Sequence, residues 1–389
     1  MIKRWLKQKI SEHYPDSGFD VLTPPDDKMG DYSVNLAFVL AEKNGTSPAE
    51  EGKGVVEKFS ADREFTDRFG SIELVNPGFV NFKLSDDFLR DSIKDVFAMG
   101  GEFGNSDMGK GVKVNLEFVS ANPTGPLTVG NARAASYGDT LGNILKKAAY
   151  VVGKEYYIND VGVQVKKLAE SIKLRILELK GEKAEFGEDL YQGEYIKDIA
   201  KDFLDKGIPE EKIMAEAVKA MTEKAKDTMS AMGINFDEWF AESRLHEGGE
   251  VKAAFEELVS KGHVVEEEGA KWLKMNKDQK AVLIKSDGST TYLMNDIAYT
   301  KNKFERGFDK AINIWGADHH GDVHRLKEGI KILGYNPDRL VILLHQLVSI
   351  KEKGEFQKMS KRAGRFVLLD DLLSEVGKDA IRFFFLTRD

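Results

Sequence analysis

The sequence predicts an α/β protein in two parts, a small α/β unit followed by a larger domain whose strands and helices alternate around a mainly helical insertion. Three observations carry this. Val112-Lys113-Val114-Asn115-Leu116-Glu117-Phe118 alternates as a strand does; a loop of small residues follows, and Ala132 to Ala149 then reads as a helix with small residues on one face. The alternation resumes downstream with Ala311-Ile312-Asn313-Ile314-Trp315, a helix after His320, and Leu340-Val341-Ile342-Leu343-Leu344. Gly100-Gly101-Glu102-Phe103-Gly104-Asn105-Ser106 interrupts both periodicities and marks the boundary between the parts.

Residues 1–105 open with an amphipathic helix bearing Ile2, Trp5, Leu6 and Ile10 on one face. Their last strand signal is Ile72-Glu73-Leu74-Val75, then Asn76-Pro77-Gly78, then Phe79-Val80-Asn81-Phe82, which predicts a hairpin. Residues 106–389 form the second part. Its stretch from about 160 to 280 is strongly charged, with helix patterns at Val163–Leu179, Tyr195–Leu204 and Glu211–Met232, and interrupts the α/β alternation like an insertion.

At 389 residues, with 41% hydrophobic and 10% aromatic content, the chain has material for two or three globular units. The charged fraction of 31% is mixed in sign, which excludes a disordered polyelectrolyte. The net charge of −8 assigns no nucleic-acid partner from bulk charge, so any RNA contact rests on local basic patches. The absence of cysteine excludes disulfides and thiolate metal sites and fits a reducing compartment. The N-terminus has no apolar stretch of the secretory kind, and no run approaches the ~18 apolar residues that span a bilayer, so the protein is expected in the cytoplasm, off the membrane.

Two segments carry chemistry. Ser120-Ala121-Asn122-Pro123-Thr124-Gly125-Pro126 leads into Thr128-Val129-Gly130-Asn131, where a helix begins. Free N–H groups and the positive end of the helix dipole at such a mouth suit a phosphate, and Gly130 permits close approach. The bland alternative is a Pro/Gly loop that only turns the chain. The second is Lys358-Met359-Ser360-Lys361-Arg362, between Gly354 and Gly364. Six basic residues lie between Lys351 and Arg365 against two acidic ones, a local balance of +4 in an acidic protein. A glycine-flanked basic loop can close on a polyphosphate; its alternative is a solvated charge run.

These residues resemble a known family. Lys358 to Lys361 matches the second motif of the class I aminoacyl-tRNA synthetases letter for letter. Glu117-Phe118-Val119-Ser120-Ala121-Asn122-Pro123-Thr124-Gly125-Pro126-Leu127 resembles the stretch that introduces the first motif in arginyl-tRNA synthetases. Asp287-Gly288, Tyr292-Leu293-Met294-Asn295-Asp296-Ile297-Ala298-Tyr299 and Gly316-Ala317-Asp318-His319-His320-Gly321 resemble further arginyl blocks in the same order, and residues 1–105 are similar to the family's appended N-terminal domain. The resemblance implies a Rossmann-like catalytic domain at 106–389, a possible tRNA-corner-recognising domain at 1–105, and an arginine-tRNA ligase with L-arginine, ATP, Mg²⁺ and tRNA(Arg) as its partners and a monomeric state.

The resemblance also implies roles. Glu117, Asn122, Tyr292 and Asp296 hold the substrate arginine, whose always-charged planar guanidinium suits carboxylate receptors. Spacing of four residues presents Tyr292 and Asp296 on one helical face. Which acid takes the guanidinium and which the α-ammonium stays open. For ATP the implied set is Thr128, Gly130, Asn131, Gly316, Asp318, His319, Val348, Lys358, Met359, Ser360 and Lys361, with Lys358, Lys361, Thr128 and Asn131 as the catalytic members and no resident metal. Asp318-His319-His320 with His324 one turn on also permits a metal-dependent hydrolase, since His at i and i+4 can share a metal.

Two features depart from the family pattern. The first motif, ordinarily His-hydrophobic-Gly-His, reads Thr128-Val129-Gly130-Asn131, which keeps hydrogen-bond donors but cannot supply a cation; tryptophanyl-tRNA synthetases have a similar version. Arginyl enzymes also normally continue into a helical anticodon-binding domain after the segment like Asp379-Ala380-Ile381-Arg382-Phe383-Phe384-Phe385-Leu386, and this sequence ends at Asp389, so that domain is expected to be absent. These departures motivate a second expectation, a synthetase-fold module that binds tRNA or regulates without turnover.

Overall fold

A computed structural model describes residues 2–275, 279–346, 348, 350–352, 355–357 and 367–387. The chain divides into two compact units, Met1–Asn105 and Ser106–Asp389. The first contains α1 (Ile2–His13), β1 (Val21–Leu22), β2 (Tyr32–Val34), α2 (Leu36–Asn44), α3 (Pro48–Ser60), α4 (Arg63–Thr66), β3 (Phe69–Val75), β4 (Phe79–Leu84) and α5 (Asp86–Met99). Its antiparallel sheet has the order β1-β2-β4-β3. β3 and β4 form the hairpin that the Pro-Gly pair predicts, with Val75 opposite Phe79. Leu6 and Ile10 of α1 are buried with Phe59, Phe65 and Phe82 in one core. Helix α3 starts where Ser47 accepts a hydrogen bond from the Glu50 N–H at 3.2 Å and Pro48 occupies the first turn.

The second unit contains β5 (Lys113–Glu117), α6 (Val129–Lys147), β6 (Val151–Ile158), α7 (Val163–Leu179), α8 (Glu194–Asp205), α9 (Ile213–Ala231), β7 (Glu238–Ala241), α10 (Ser243–Glu247) and α11 (Glu250–Ser260). It continues with β8 (Val264–Glu267), β9 (Ala270–Lys274), β10 (Lys280–Ile284), α12 (Tyr292–Glu305), β11 (Lys310–Gly316), α13 (His320–Ile332), β12 (Leu340–His345), β13 (Ile350–Glu352), β14 (Glu355–Gln357) and α14 (Leu369–Leu386). Five strands make a fully parallel sheet in the order β12-β11-β5-β6-β7. From β5 the chain winds outward through β6 to β7, then returns to the other side of β5 and winds outward through β11 to β12. The reversal leaves a crevice above the C-terminal ends of β5 and β11, where open parallel sheets bind ligands.

Within 160–280, α7, α8 and α9 build a core of their own around Leu168, Ile172, Ile196, Phe203 and Met221. Two features of this stretch differ from the helical expectation. Glu238–Ala241 joins the central sheet as its edge strand β7, and β8, β9 and β10 form a separate antiparallel sheet. Both were hidden because short strands of four or five residues, flanked by charge, give too few periods to stand out against helices.

Small residues set how closely α6 lies on the sheet. Ala132, Ala135, Gly138 and Gly142 are buried on one face of α6. A methyl at Gly138 would come within 2.2 Å of the Phe118 ring, and one at Gly142 within 3.1 Å of Leu116. Buried Asp139 on the same helix receives Lys154 of β6 at 2.6 Å and Arg382 of α14 at 2.5 Å, so one carboxylate ties three elements together. Burial works against the charge of Asp139, but hydrogen bonds from Lys154 and Arg382 hold its carboxyl below the usual range.

Gly138→Ala tests the close approach. Alanine is the better helix former by about 1 kcal/mol, yet overpacking against Phe118 should leave the variant about 1–3 kcal/mol less stable in denaturant unfolding. An unchanged or raised midpoint would mean that the helix slides freely on the sheet.

Candidate active site

The crevice at the strand reversal is a cleft of about 750 Å³. Glu117 reaches it from the end of β5, Trp315 and Gly316 from the end of β11, and Tyr292 and Asp296 from the first turns of α12. Asn122, Gln164 and His319 complete the wall that matters below. Six of the residues singled out in the sequence are thus brought together: Glu117, Asn122, Tyr292, Asp296, Gly316 and His319.

The loop after β5 is strained and held. Val119 and Ser120, neither of them glycine, have φ of 69° and 40°, in the left-handed region that β-branched residues avoid. Tyr156 donates its hydroxyl to the Ala121 carbonyl at 3.1 Å and accepts from the Ala121 N–H at 3.0 Å. The Tyr157 N–H donates to Ser120 Oγ at 3.0 Å, and Tyr195 donates to the Thr124 carbonyl at 2.7 Å. Asn122 Nδ2 donates to Gln164 Oε1 at 2.9 Å, which orients the side chain that the resemblance assigns to arginine. Such over-determination is what lets strain persist at a site.

Glu117, Asp296 and Asp322 line the cleft together with Lys280 and Arg325, and further acids lie buried behind them. Lys303 of α12, 0% exposed, donates to Glu117 Oε2 at 2.6 Å and to Asn313 Oδ1 at 2.9 Å. Glu242, after β7, is buried and accepts from Tyr157 Oη at 2.8 Å and Asn295 Nδ2 at 2.6 Å. Burial pushes its carboxyl up to about 7, with Asp160 adding to the rise while the two hydrogen bonds oppose it. Asp296 is raised well above the carboxylate range by burial first, then by Glu117 and Glu242, with Lys303 opposing. Behind them Glu155 meets Arg306 through paired bonds of 2.7 Å and also accepts from Tyr299. Burial disfavours its charge too, yet Arg306 and Lys303 hold its carboxyl below the usual value. Two neighbouring carboxyls raised by burial, and Asp296 further by the acids beside it, suit a cationic ligand that restores their charge.

The helix mouth differs from the free-donor expectation. Thr128 caps α6, and Asn131 Oδ1 accepts from both the Thr128 N–H at 2.9 Å and the Thr128 hydroxyl at 3.2 Å. The Val129 N–H donates to the Val367 carbonyl at 3.0 Å, and the Leu369 N–H donates to the Leu127 carbonyl at 3.0 Å. Capping and a backbone bridge therefore use donors that the sequence reading left for phosphate. Thr128, Gly130 and Asn131 are half-buried and do not line the cleft, nor does Asp318, whose side chain is 58% exposed. Val348 is half-buried. Lys358, Met359, Ser360 and Lys361 lie outside the described residues.

Both flanks of that basic segment are tied to α6. Arg133 donates to the Gln346 carbonyl at 3.2 Å on one side, and Val367 bonds Val129 on the other. Gln346 and Val367, each more than two hundred positions downstream of α6's start, thus lie against that helix.

Sequence reasoning missed Glu242 and Lys303. Glu242 has no local signal, because it becomes a site residue only when β7 joins the sheet. Lys303 does have one: residues 296, 299 and 303 recur at helical spacing, which puts the lysine on the inward face of α12. For the rival metal reading, no group of three His, Asp or Glu side chains converges as a ligand set among the described residues. No helix among them is long and apolar enough to cross a membrane.

A parallel sheet with a ligand crevice at its strand reversal and an acid-bearing cleft beside the start of α6 is the architecture of a class I tRNA synthetase. Comparison with known proteins agrees. Residues 92–384 match the family described as tRNA synthetases class I (R), catalytic domain, and residues 1–84 match the arginyl tRNA synthetase N-terminal domain. The arginine–tRNA ligase of Caldanaerobacter subterraneus subsp. tengcongensis is 43% identical over 383 residues, covering 95% of this chain and 68% of that protein. That of Bacillus subtilis is 40% identical over 396 residues, covering 98% and 71%. A Campylobacter jejuni structure titled a putative arginyl-tRNA synthetase superposes with a TM-score of 0.71 at 37% identity, over 79% of this chain and 69% of that one. The Thermus thermophilus arginyl-tRNA synthetase shares the fold, with a TM-score of 0.69 at 21% identity over 99% and 74%. The chain belongs to the arginyl-tRNA synthetase family.

The raised carboxyl of Glu242 makes a testable statement about stability. Its proton is held more tightly in the folded than in the unfolded state, so this group's contribution is full below about pH 4.5 and is lost as pH rises through about 7. Glu242→Gln keeps a hydrogen-bonding partner for Tyr157 without the charge. Its stability advantage over the parent should grow between pH 4.5 and 7 and level off at up to about 3 kcal/mol. A gap independent of pH in urea titrations would contradict it.

Proposed function

We propose that the chain is an arginine–tRNA ligase in which the acidic cleft receives arginine's two cationic groups while its carboxylate faces ATP. The observation that carries this is the cluster of Glu117, Glu242 and Asp296 at the strand reversal, where Lys303 is bound to Glu117 and the remaining acids favour a cation. Asp296 and Tyr292 stand one turn apart on α12, so a guanidinium can meet a carboxylate and a phenol on one face. Gly316 and His319 flank the cleft beyond β11 and are the groups for the adenosine of ATP.

In the first step an arginine carboxylate oxygen attacks the α-phosphorus of ATP. A phosphorus–oxygen bond forms as the bond to pyrophosphate breaks, and no side-chain base is required because the nucleophile is already ionised. The protein contributes alignment, and Lys358 and Lys361 are assigned to the charge that grows on the phosphates. Mg²⁺ would come with ATP and balance the charge of its phosphates, as this ion does in nucleotide sites. In the second step a terminal ribose hydroxyl of tRNA(Arg) attacks the adenylate carbonyl, and AMP leaves. Residues 1–105 are assigned to the tRNA corner; a monomeric state and a cytoplasmic location go with this reading.

A second reading, a synthetase-fold module without turnover, is favoured by one observation: Thr128 and Asn131 are bonded to each other rather than presented to the cleft. Arginine-dependent exchange of pyrophosphate into ATP, with and without arginine-accepting tRNA, separates the two. Exchange in either condition supports the ligase; ATP binding with no exchange in both supports the module. Within the ligase reading, Asp296→Asn should raise the KM for arginine about a hundredfold, the scale of a lost charge-assisted contact, and leave the KM for ATP unchanged.

A further inference from the structure

Lys303 has no role in the chemistry above. Its ammonium is cut off from water between Glu117, Asn313 and the face of Tyr299, whose ring centroid is 4.2 Å away. A buried lysine is strongly disfavoured unless its charge is used, and an apolar side chain would fill the same space more readily. Strand register shows what the charge faces: Glu155 of β6, Glu117 of β5 and Asn313 of β11 stand abreast on three adjacent strands. Above this row lie Asp296 and Glu242. Lys303 and Arg306 are each taken up by one of the two strand carboxylates, and among the described residues neither Asp296 nor Glu242 is ion-paired to a lysine or arginine, although Asp322, Lys280 and Arg325 line the cleft as well. Free arginine offers two positive groups beside the carboxylate that reacts.

We infer that Lys303 is a positioning residue that fixes the charge of the amino-acid cleft, holding Glu117 by one oxygen so that the acids left to a ligand match a guanidinium plus an ammonium. The inference rests on the reading of the cleft as the arginine site. Asp296 is faced by Glu117 from β5, Tyr157 from β6, Glu242 after β7, Asp322 from α13, and Tyr292 and Lys303 from its own helix. Lys303 is the cation in this set that opposes proton uptake by Asp296. Without it the acids keep their protons to higher pH, and a cationic ligand has to displace them.

The test is arginine affinity of the whole chain from pH 5 to 9, measured calorimetrically beside thermal unfolding. Lys303→Gln, which keeps a hydrogen bond to Glu117 and loses the charge, should bind arginine about tenfold more weakly at pH 7, with its acid-side loss of affinity displaced upward by about one pH unit. Lys303→Arg should keep that loss where the parent has it. An unmoved profile in Lys303→Gln, or an equal displacement in Lys303→Arg, overturns the inference, since a merely structural lysine would alter the folded fraction and not the pH at which binding fails. Should Lys303→Gln not fold, Asn313→Asp, which sets a further carboxylate beside the Lys303 ammonium and takes up its charge, should displace the acid-side loss upward in the same way, and an unmoved profile there overturns the inference. A parent chain that does not bind arginine at all sinks the underlying site reading, whereas a parent that binds with unmoved variants sinks only the role of Lys303.

Discussion

Buried charge must find opposite charge, and in this protein that requirement fixes how α12 lies on the central sheet. Glu155 and Glu117 sit side by side on β6 and β5, beneath the helix rather than in water. Arg306 and Lys303, from the last turn of α12, are the cations that meet them. Removing either partner would leave an uncompensated charge in a low-dielectric layer, so the helix has one acceptable register. With its C-terminal half pinned, its first turns project over the ends of β5 and β11, and Tyr292 and Asp296 arrive at the cleft. The same pairing that settles the packing therefore brings Tyr292 and Asp296 to the cleft.

A second constraint acts on the opposite side of the cleft. The loop from Val119 to Thr124 begins with two residues in a left-handed backbone they do not prefer, and hydroxyls from Tyr156 and Tyr195 together with the Tyr157 N–H hold it. Four residues beyond it Thr128 caps α6, and there Val367 and Leu369 return to bond with Val129 and Leu127. Strain, cap and backbone bridge occupy one short stretch. Gln346 and Val367 are each held to α6, through Arg133 and Val129.

Much of the fold was legible locally. The alternation around Val114 and Leu116, the small-residue face of α6 and the hairpin about Pro77 need only neighbours in sequence to declare themselves, and α7 lies at Val163–Leu179 as its periodicity indicates. The edge strand β7 was not legible, because four residues supply no period and strand character there depends on pairing with β6. The site divides the same way. Glu117, Asn122, Tyr292 and Asp296 stand out because they fall in recognisable blocks, while Glu242 stands in no block and joins them only across the sheet. Thr128 and Asn131 show the converse: the sequence offers them as donors, and their three-residue spacing lets them satisfy each other first.

By itself, the sequence determined the order of strands and helices, the family and the chemical types available to the cleft, because periodicity and motif are short-range properties written in consecutive residues. Only the tertiary structure decided which acids share the cleft, that Lys303 takes up one of them, and that the two ends of the basic segment meet the first helix. Charges separated by more than a hundred positions acquire an interaction energy only when the sheet brings them within a few ångströms, and no local pattern records that distance.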